Sequence, residues 1–173
     1  MSEQKLILET ARFNVVDMPA GPDLPNHRRQ VIRHPGSVVL IPLVDDDHVC
    51  LIRNYRISVA KQLVELPAGT REVNEEPELT AHRELIEETG YRADSLQQLS
   101  SFLPAPGILD ERMILYLARG LQPGPPQREP GEQIENWIVP WDQAIELVDS
   151  GQVEDAKTII GLLLWDRMRR SAS

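Results

Sequence analysis

Residues 69–91 read GTREVNEEPELTAHRELIEETGY, and the fold turns on what this stretch is for. It carries seven carboxylates, Glu72, Glu75, Glu76, Glu78, Glu84, Glu87 and Glu88, and directly follows the run QLVELPA. Crowded carboxylates repel one another, so the stretch is either a solvated helix face or a cation site. Pro77 and Gly90 suit the start and stop of a helix, which is predicted over about residues 77–89. At about 100° per residue, Glu84, Glu87 and Glu88 share one sector about 100° wide, while Leu79, His82, Leu85 and Ile86 cluster opposite as the packing face. Like charges at i, i+3 and i+4 cost an isolated helix roughly a few tenths of a kcal/mol per pair. These acids also sit near the helix C-terminus, where the macrodipole disfavours anions. Arg83, four residues before Glu87, relieves only part of the conflict. A hard divalent cation resolves the rest, because magnesium prefers oxygen ligands and keeps several waters.

Outside this stretch the chain reads as one ordinary globular unit. Its 173 residues are long enough for one sizeable core and short for two. A net charge of −9 argues against nucleic-acid binding, which needs a surplus of Lys and Arg to neutralise phosphates. The single cysteine, Cys50, excludes an internal disulfide and a cysteine-rich zinc site, and HVCLIRNYR places it in a buried strand. MSEQKLILETARF lacks the pattern of a signal peptide, and no apolar run approaches the roughly 20 residues that span a bilayer. The expectation is a soluble cytoplasmic protein with no membrane partner.

Short β-compatible patches lie at residues 6–8 and 13–16, followed by a proline-rich loop over 18–27 and a further strand towards Pro35-Gly36. This region is too small and polar to bury a core of its own, so it packs on the main domain or on a second subunit. Residues 38–44 and 49–55 read as a β-hairpin around Asp45-Asp46-Asp47. Those aspartates lack the ligand spacing of a calcium loop and fit a solvated turn better. Arg53, Tyr55 and Arg56 end the second strand and either sit at the surface or face an anion. KQLVE, residues 96–102 and 113–118, and NWIVPW are further strands, with a Pro/Gly-rich surface loop over 120–133. DQAIELVDSG is a helix with Asp142 as N-cap and Gly151 as stop, and VEDAKTIIGLLLWDRMRR is a final amphipathic helix. Trp137 and Trp141 fit core packing better than base stacking, and His82 fits a packing role.

Gly69, Glu75, Arg83-Glu84-Leu85, Glu87-Glu88 and Gly90, at these spacings, resemble the Nudix hydrolase box. Tyr91 stands where that pattern expects a small aliphatic residue. ELPAG before the box, Pro106 sixteen residues after Gly90, and the tail VEDAKTIIGLLL resemble the ADP-ribose pyrophosphatase and nucleoside-diphosphate-sugar hydrolase branch. The resemblance implies an α/β/α sandwich around a mixed sheet over residues 37–173. It also implies a small antiparallel β region over 1–36 that packs across the subunits of a homodimer. The implied reaction is Mg2+-dependent hydrolysis, with Mn2+ as a possible substitute, of ADP-ribose or a related nucleotide sugar. GDP-mannose or a broad range of nucleotide sugars is the alternative substrate, and a non-catalytic nucleotide sensor is the alternative of another class.

Residue by residue, the resemblance implies Glu84 and Glu88 as main metal ligands, Glu87 as a third, and the Ala68 carbonyl as a fourth. Arg83 would orient the glutamates through charge-assisted hydrogen bonds. Glu75 would support the loop, and Glu72, Glu76 and Glu78 would be solvated. A general base is expected from the loop QREPGEQIENW, with Glu132 first and Glu129 second, although Pro130 stands where relatives carry another acid. Arg53, Arg56 and Pro106 would bind substrate, the two arginines at a phosphate or ribose, and Ile108 replaces an aromatic frequent after the Pro-Gly. Glu111 would either contact substrate or pair with Arg112, and pairing is the stronger expectation.

Overall fold

The computed structural model describes residues 4–24, 26–128 and 131–172. Its strands are β1 (Lys5–Glu9), β2 (Asn14–Pro19), β3 (Arg28–Arg33), β4 (Ser37–Pro42), β5 (His48–Arg56), β6 (Lys61–Glu65), β7 (Ala68–Thr70), β8 (Arg92–Phe102), β9 (Met113–Gln122) and β10 (Ile134–Pro140). Its helices are α1 (Pro77–Glu84), α2 (Trp141–Asp149) and α3 (Ala156–Ala172), and α1 runs directly into a wider π turn over Leu85–Thr89.

The central sheet has the order β7-β4-β9-β8, with β4 parallel to β9 and the other pairs antiparallel. All six residues of β4, SVVLIP, are buried, as befits a strand covered on both faces. Val38 and Leu40 pack with Ala81 and Leu85 of the α1 side. Val39 and Ile41 point the other way, into a cluster with Trp141, Leu147, Leu162 and Trp165 from the α2 and α3 regions. The alternation along one strand therefore builds two apolar layers, and the result is an α/β/α sandwich around a mixed sheet. Each such fully buried aliphatic side chain contributes about 1.5–3 kcal/mol.

The hairpin expected around the three aspartates is not a hairpin. β4 belongs to the central sheet, whereas β5 pairs with β6 and β10 in a separate antiparallel sheet, and only Leu43 and Val49 bridge across the turn. Two apolar runs with a tight turn fit both a hairpin and a crossing between sheets, and burial of β4 on both faces selects the crossing. The turn itself is closed by His48 and the Asp47 amide, both bonded to the Asp45 carboxylate at 2.9 and 2.8 Å.

The acidic segment also departs from a regular helix. Hydrogen bonding widens at Leu85, so one wheel does not describe all three late glutamates. Leu79 is 62% exposed and does not pack, whereas Leu85 is buried as expected and Ala81 joins it, with His82 and Ile86 half-buried. In α2, Pro140 occupies the N-cap position and Asp142 lies inside the first turn, while Gly151 follows the Ser150 C-cap with φ +74°. The true N-cap aspartate belongs to α3. Asp155 Oδ2 accepts the Thr158 amide and hydroxyl, satisfying donors that the helix start leaves open.

β1, β2 and β3 form their own antiparallel sheet, with every residue of β1 exposed. It attaches through β3: the Ile32 amide donates to Ile108, the Asp110 amide donates back to Ile32, and Arg33 pairs with Asp110 at 2.7 Å. Cys50 is fully buried, which pushes its thiol up to about 12. Trp141 packs in the main core and Trp137 against it, as expected of the two residues. Among the described residues no helix is long and apolar enough to cross a membrane.

Candidate active site

Arg83 sits at the centre of the acidic stretch. Its Nε and Nη2 donate to the two carboxylate oxygens of Glu75 at 3.1 and 3.0 Å, and Nη2 also donates to the Thr70 carbonyl at 3.0 Å. Nη1 donates to Glu84 at 2.7 Å and to Glu87 at 2.9 Å. All five guanidinium donors are thus used, and one cation ties the loop before α1 to two acids on its last turns. Glu75 also accepts the Glu72 amide, and the Arg83 guanidinium first, then that amide, hold its carboxyl down to about 2.

Glu84 and Glu88 stand in a different electrostatic setting. Both are buried, at 8% and 4% exposure, and burial is the main reason their carboxyls rise to about 7 and about 8. Arg83 opposes the rise at Glu84, and the Ala68 amide, donating to Glu88 Oε2 at 2.8 Å, opposes it at Glu88. The Glu84 carboxylate lies against Gly69, where an added Cβ would fall 1.8 Å from its Cδ. Absence of a side chain at position 69 therefore creates the space this carboxylate fills.

Glu84, Glu87, Glu88, Ala68 and Glu132 line one cleft of about 490 Å³. Among the described residues no three acidic, histidine or cysteine side chains are grouped closely enough to hold a metal ion together. Arg83 draws Glu84 and Glu87 to one side, while the Ala68 amide holds Glu88. The site is therefore not the simple three-carboxylate edge expected from the helix wheel. The donor set nevertheless fits a hard divalent cation: it is all oxygen, two of its acids are buried with too little positive charge nearby, and magnesium takes few protein ligands and several waters.

A second cleft, of about 430 Å³, shares Arg56, Ala68, Gly69 and Thr70 with the first. Arg56 stands at this junction, with Nε and Nη2 donating to both oxygens of Glu65 at 2.8 and 2.6 Å. Lys157, itself buried, donates to Glu65 at 2.6 Å and to Asp155 at 2.9 Å. Burial pushes the Glu65 carboxyl up, but Arg56 and Lys157 together outweigh it and leave the group below its ordinary range. Breaking such a buried pair costs about 3–5 kcal/mol. Glu65→Gln is expected to lower the melting temperature by roughly 6–15 °C in calorimetry, and a shift under 2 °C would show that the network contributes little.

Other expected residues land elsewhere. Arg53 lies 4.2 Å over the Trp137 ring and 3.7 Å from Glu135, and lines neither cleft, because it points off the opposite side of β5 from Arg56's junction. Pro106 is exposed in the loop after β8, where its neighbour Pro104 lines the second cleft instead. Glu111 does not pair with Arg112: it is buried in the second cleft, accepts the Ser37 hydroxyl, and lies 3.5 Å from His34. Arg112 donates to Ser101. Glu129 lies outside the described residues.

A family model described as the NUDIX domain matches residues 33–160. The chain belongs to the Nudix family. It is 37% identical over 164 residues to an ADP-ribose pyrophosphatase of Bacillus subtilis (strain 168), covering 90% of this chain and 89% of the relative. It is 31% identical over 144 residues to a GDP-mannose pyrophosphatase of Escherichia coli, covering 78% and 75%. A crystal structure described as an ADP compounds hydrolase superposes with a TM-score of 0.80, covering 99% of this chain and 94% of that one at 23% identity, a likeness of fold.

Several residues around the Nudix box carry no signal in the spacing of the box itself. Glu65 and Lys157 are 92 positions apart and meet where the first turn of α3 reaches the end of β6, although a glutamate inside LVELPA and a lysine inside DAKTII are visible as charges in apolar runs. Arg12, at the tip between β1 and β2, lines the carboxylate cleft, a placement that nothing in its local sequence foretells.

Proposed function

We propose that this chain hydrolyses the pyrophosphate bond of ADP-ribose or a related nucleoside diphosphate sugar, releasing a nucleoside monophosphate and a sugar phosphate. The observation that carries this reading is the buried pair Glu84 and Glu88 beside the junction of two clefts that share Arg56, Ala68, Gly69 and Thr70. A substrate with a nucleoside at one end, a sugar at the other and a pyrophosphate between suits that arrangement. The relatives named ADP-ribose and GDP-mannose pyrophosphatase support the same class.

In this reading Glu84, Glu88, Glu87 and the Ala68 carbonyl hold a divalent cation, Mg2+ by preference and Mn2+ as substitute. The bound cation supplies charge neutralisation at phosphate and a lowered pKa for an attacking water. Arg83 keeps Glu84 and Glu87 oriented by the bonds it already makes. Glu132, in the same cleft, takes the proton from the attacking water, and Glu129 is the second candidate. Arg56 meets a phosphate or ribose oxygen through Nη1, since Nε and Nη2 are committed to Glu65. Glu111 accepts a sugar hydroxyl in the second cleft. Arg53 and Pro106 carry no role here.

The N-terminal region over 1–36 acts as the contact between two copies in a homodimer, and residues 37–173 form the hydrolase domain. Leu6, Ile7 and Leu8, each about half exposed on β1, support that division, and a cytoplasmic location completes the reading. A panel of nucleotide sugars, assayed for phosphate after coupling to a phosphatase, tests the substrate class. ADP-ribose is expected to give the highest kcat/KM. Preference for GDP-mannose would move the assignment within the class, and preference for capped RNA or an oxidised nucleoside triphosphate would remove it. Absence of turnover on every substrate with Mg2+ or Mn2+ would favour a nucleotide-binding module without catalysis.

A further inference from the structure

The π turn that carries Glu87 and Glu88 ends at Gly90, where φ is +79° and the chain leaves the helix. Helix ends leave carbonyls without an intrahelical donor, and a buried carbonyl without a donor is costly. Three consecutive carbonyls at this end are taken up from outside the helix. The Gln127 amide donates to Glu87 at 3.0 Å, Arg128 Nε donates to Glu88 at 3.1 Å, and Asn136 Nδ2 donates to Thr89 at 2.7 Å. Arg128 Nη2 also donates to Asn136 Oδ1 at 2.9 Å, which links the two donors to each other. Gly90 fits closely against the same segment: a Cβ there would fall 2.2 Å from the Gly124 carbonyl.

Arg128 and Asn136 lie on either side of Glu132, four positions before and four after it. Both ends of the segment that brings Glu132 to the carboxylate cleft are therefore fastened to the turn that supplies Glu87 and Glu88. We propose that Arg128 and Asn136 are positioning residues that lock Glu132 in register with the metal-binding turn. This rests on the reading of Glu132 as the base. A guanidinium suits the task, because its planar fork reaches a helix carbonyl and a side-chain amide at once, and its charge complements the negative end of the helix. A lysine ammonium cannot make both bonds in that geometry.

The test is a double-mutant cycle with Arg128→Met and Glu132→Gln, assayed on ADP-ribose with saturating Mg2+. Arg128→Met is expected to lower kcat by roughly 10–100-fold, with KM and the Mg2+ concentration for half-activity changed less than about twofold. Combined with Glu132→Gln it should lower kcat no further than Glu132→Gln alone, because the effect runs through Glu132. Amides of Gly124, Gln127 and Arg128 and of residues 131–133 should exchange hydrogen at least about tenfold faster in Arg128→Met, with the β4 and β9 amides other than proline unchanged. Arg128→Lys should not rescue. An unchanged kcat, fully additive losses, or a kcat loss matched by weaker Mg2+ dependence would each overturn the proposal. Should Glu132→Gln alone retain wild-type kcat, the base assignment falls, and the fastening is then decided by exchange: faster exchange upholds it and unchanged exchange removes it.

Discussion

Glu88→Gln is expected to lower kcat on a nucleotide sugar by roughly 10³-fold or more while leaving the metal-free fold at least as stable as wild type at pH 8. Glu88 is buried at the cleft floor, and its main partner is the Ala68 amide at 2.8 Å, a bond that a glutamine oxygen can still accept. What the glutamine lacks is the charge that would bind a cation in the proposed site. Loss of a metal ligand removes several kcal/mol of charge stabilisation, and each 1.4 kcal/mol or so is tenfold in rate.

The stability half of this prediction follows from the acid's raised pKa. Glu84 and Glu88 titrate near 7 and 8 in the fold against 4.5 when exposed, so the folded chain binds more protons than the unfolded chain between those values. Their contribution is fully present below pH 4.5 and is lost as pH rises through 7 and 8. Wild type with a chelator should therefore melt at progressively lower temperature from pH 5 to pH 8. Glu88→Gln should flatten that slope and be more stable at pH 8 by on the order of 1–3 kcal/mol. A divalent cation at 100 times its Kd should restore about 2.7 kcal/mol to wild type and much less to the variant. A variant with kcat within tenfold of wild type, or with an unchanged Mg2+-dependent melting shift, would remove Glu88 from the metal site.

Gly69→Ala is expected to cost at least about 100-fold in kcat/KM with a change in melting temperature under about 4 °C. The new Cβ would lie 1.8–2.1 Å from the Glu84 carboxylate atoms, so the carboxylate must leave its place. It is the far end of a flexible side chain at the edge of an open cleft, so it can move cheaply. The fold survives and the cleft loses an aligned oxygen ligand and the Arg83–Glu84 bond. Circular dichroism melts and kinetics on the same sample check both halves. A large melting shift with proportionate loss of activity would instead assign Gly69 a structural role in β7.

The acidic stretch was legible in the sequence because its signal is local: fixed gaps between charges, one glycine at each end, and an apolar run before it. The strands were legible for the same reason, through short apolar runs broken by Pro, Gly and Asp. The hairpin expectation failed because local pattern cannot distinguish a turn within one sheet from a crossing between two. That choice depends on whether β4 is covered on both faces, which helices α1 and α3 decide. The helix wheel misplaced Leu79 because it took the apolar side as the packing side, whereas the buried side of α1 carries Thr80, Ala81 and the carboxylate-bearing Glu84.

Site residues divide along the same line. Glu84, Glu87, Glu88 and Arg83 could be singled out because their neighbours in the chain are their neighbours in space. Arg53 and Arg56, three apart on one strand, looked equivalent, and only their side-chain partners, Glu135 opposite Arg53 on β10 and Glu65 at the end of β6, separate a cation stacked on Trp137 from one at the cleft junction. Likewise Glu111 pairs with Ser37, 74 positions away, and not with adjacent Arg112.

By itself the sequence determined that this chain carries an acidic Nudix-type helix in a mixed α/β domain, because charge spacing and apolar period act over one or two turns. Only the tertiary structure decided which acids are buried, which arginine reaches the clefts, and what fastens the segment bearing Glu132. Those outcomes depend on desolvation and on hydrogen bonds between residues tens of positions apart, and both exist only once the layers have packed.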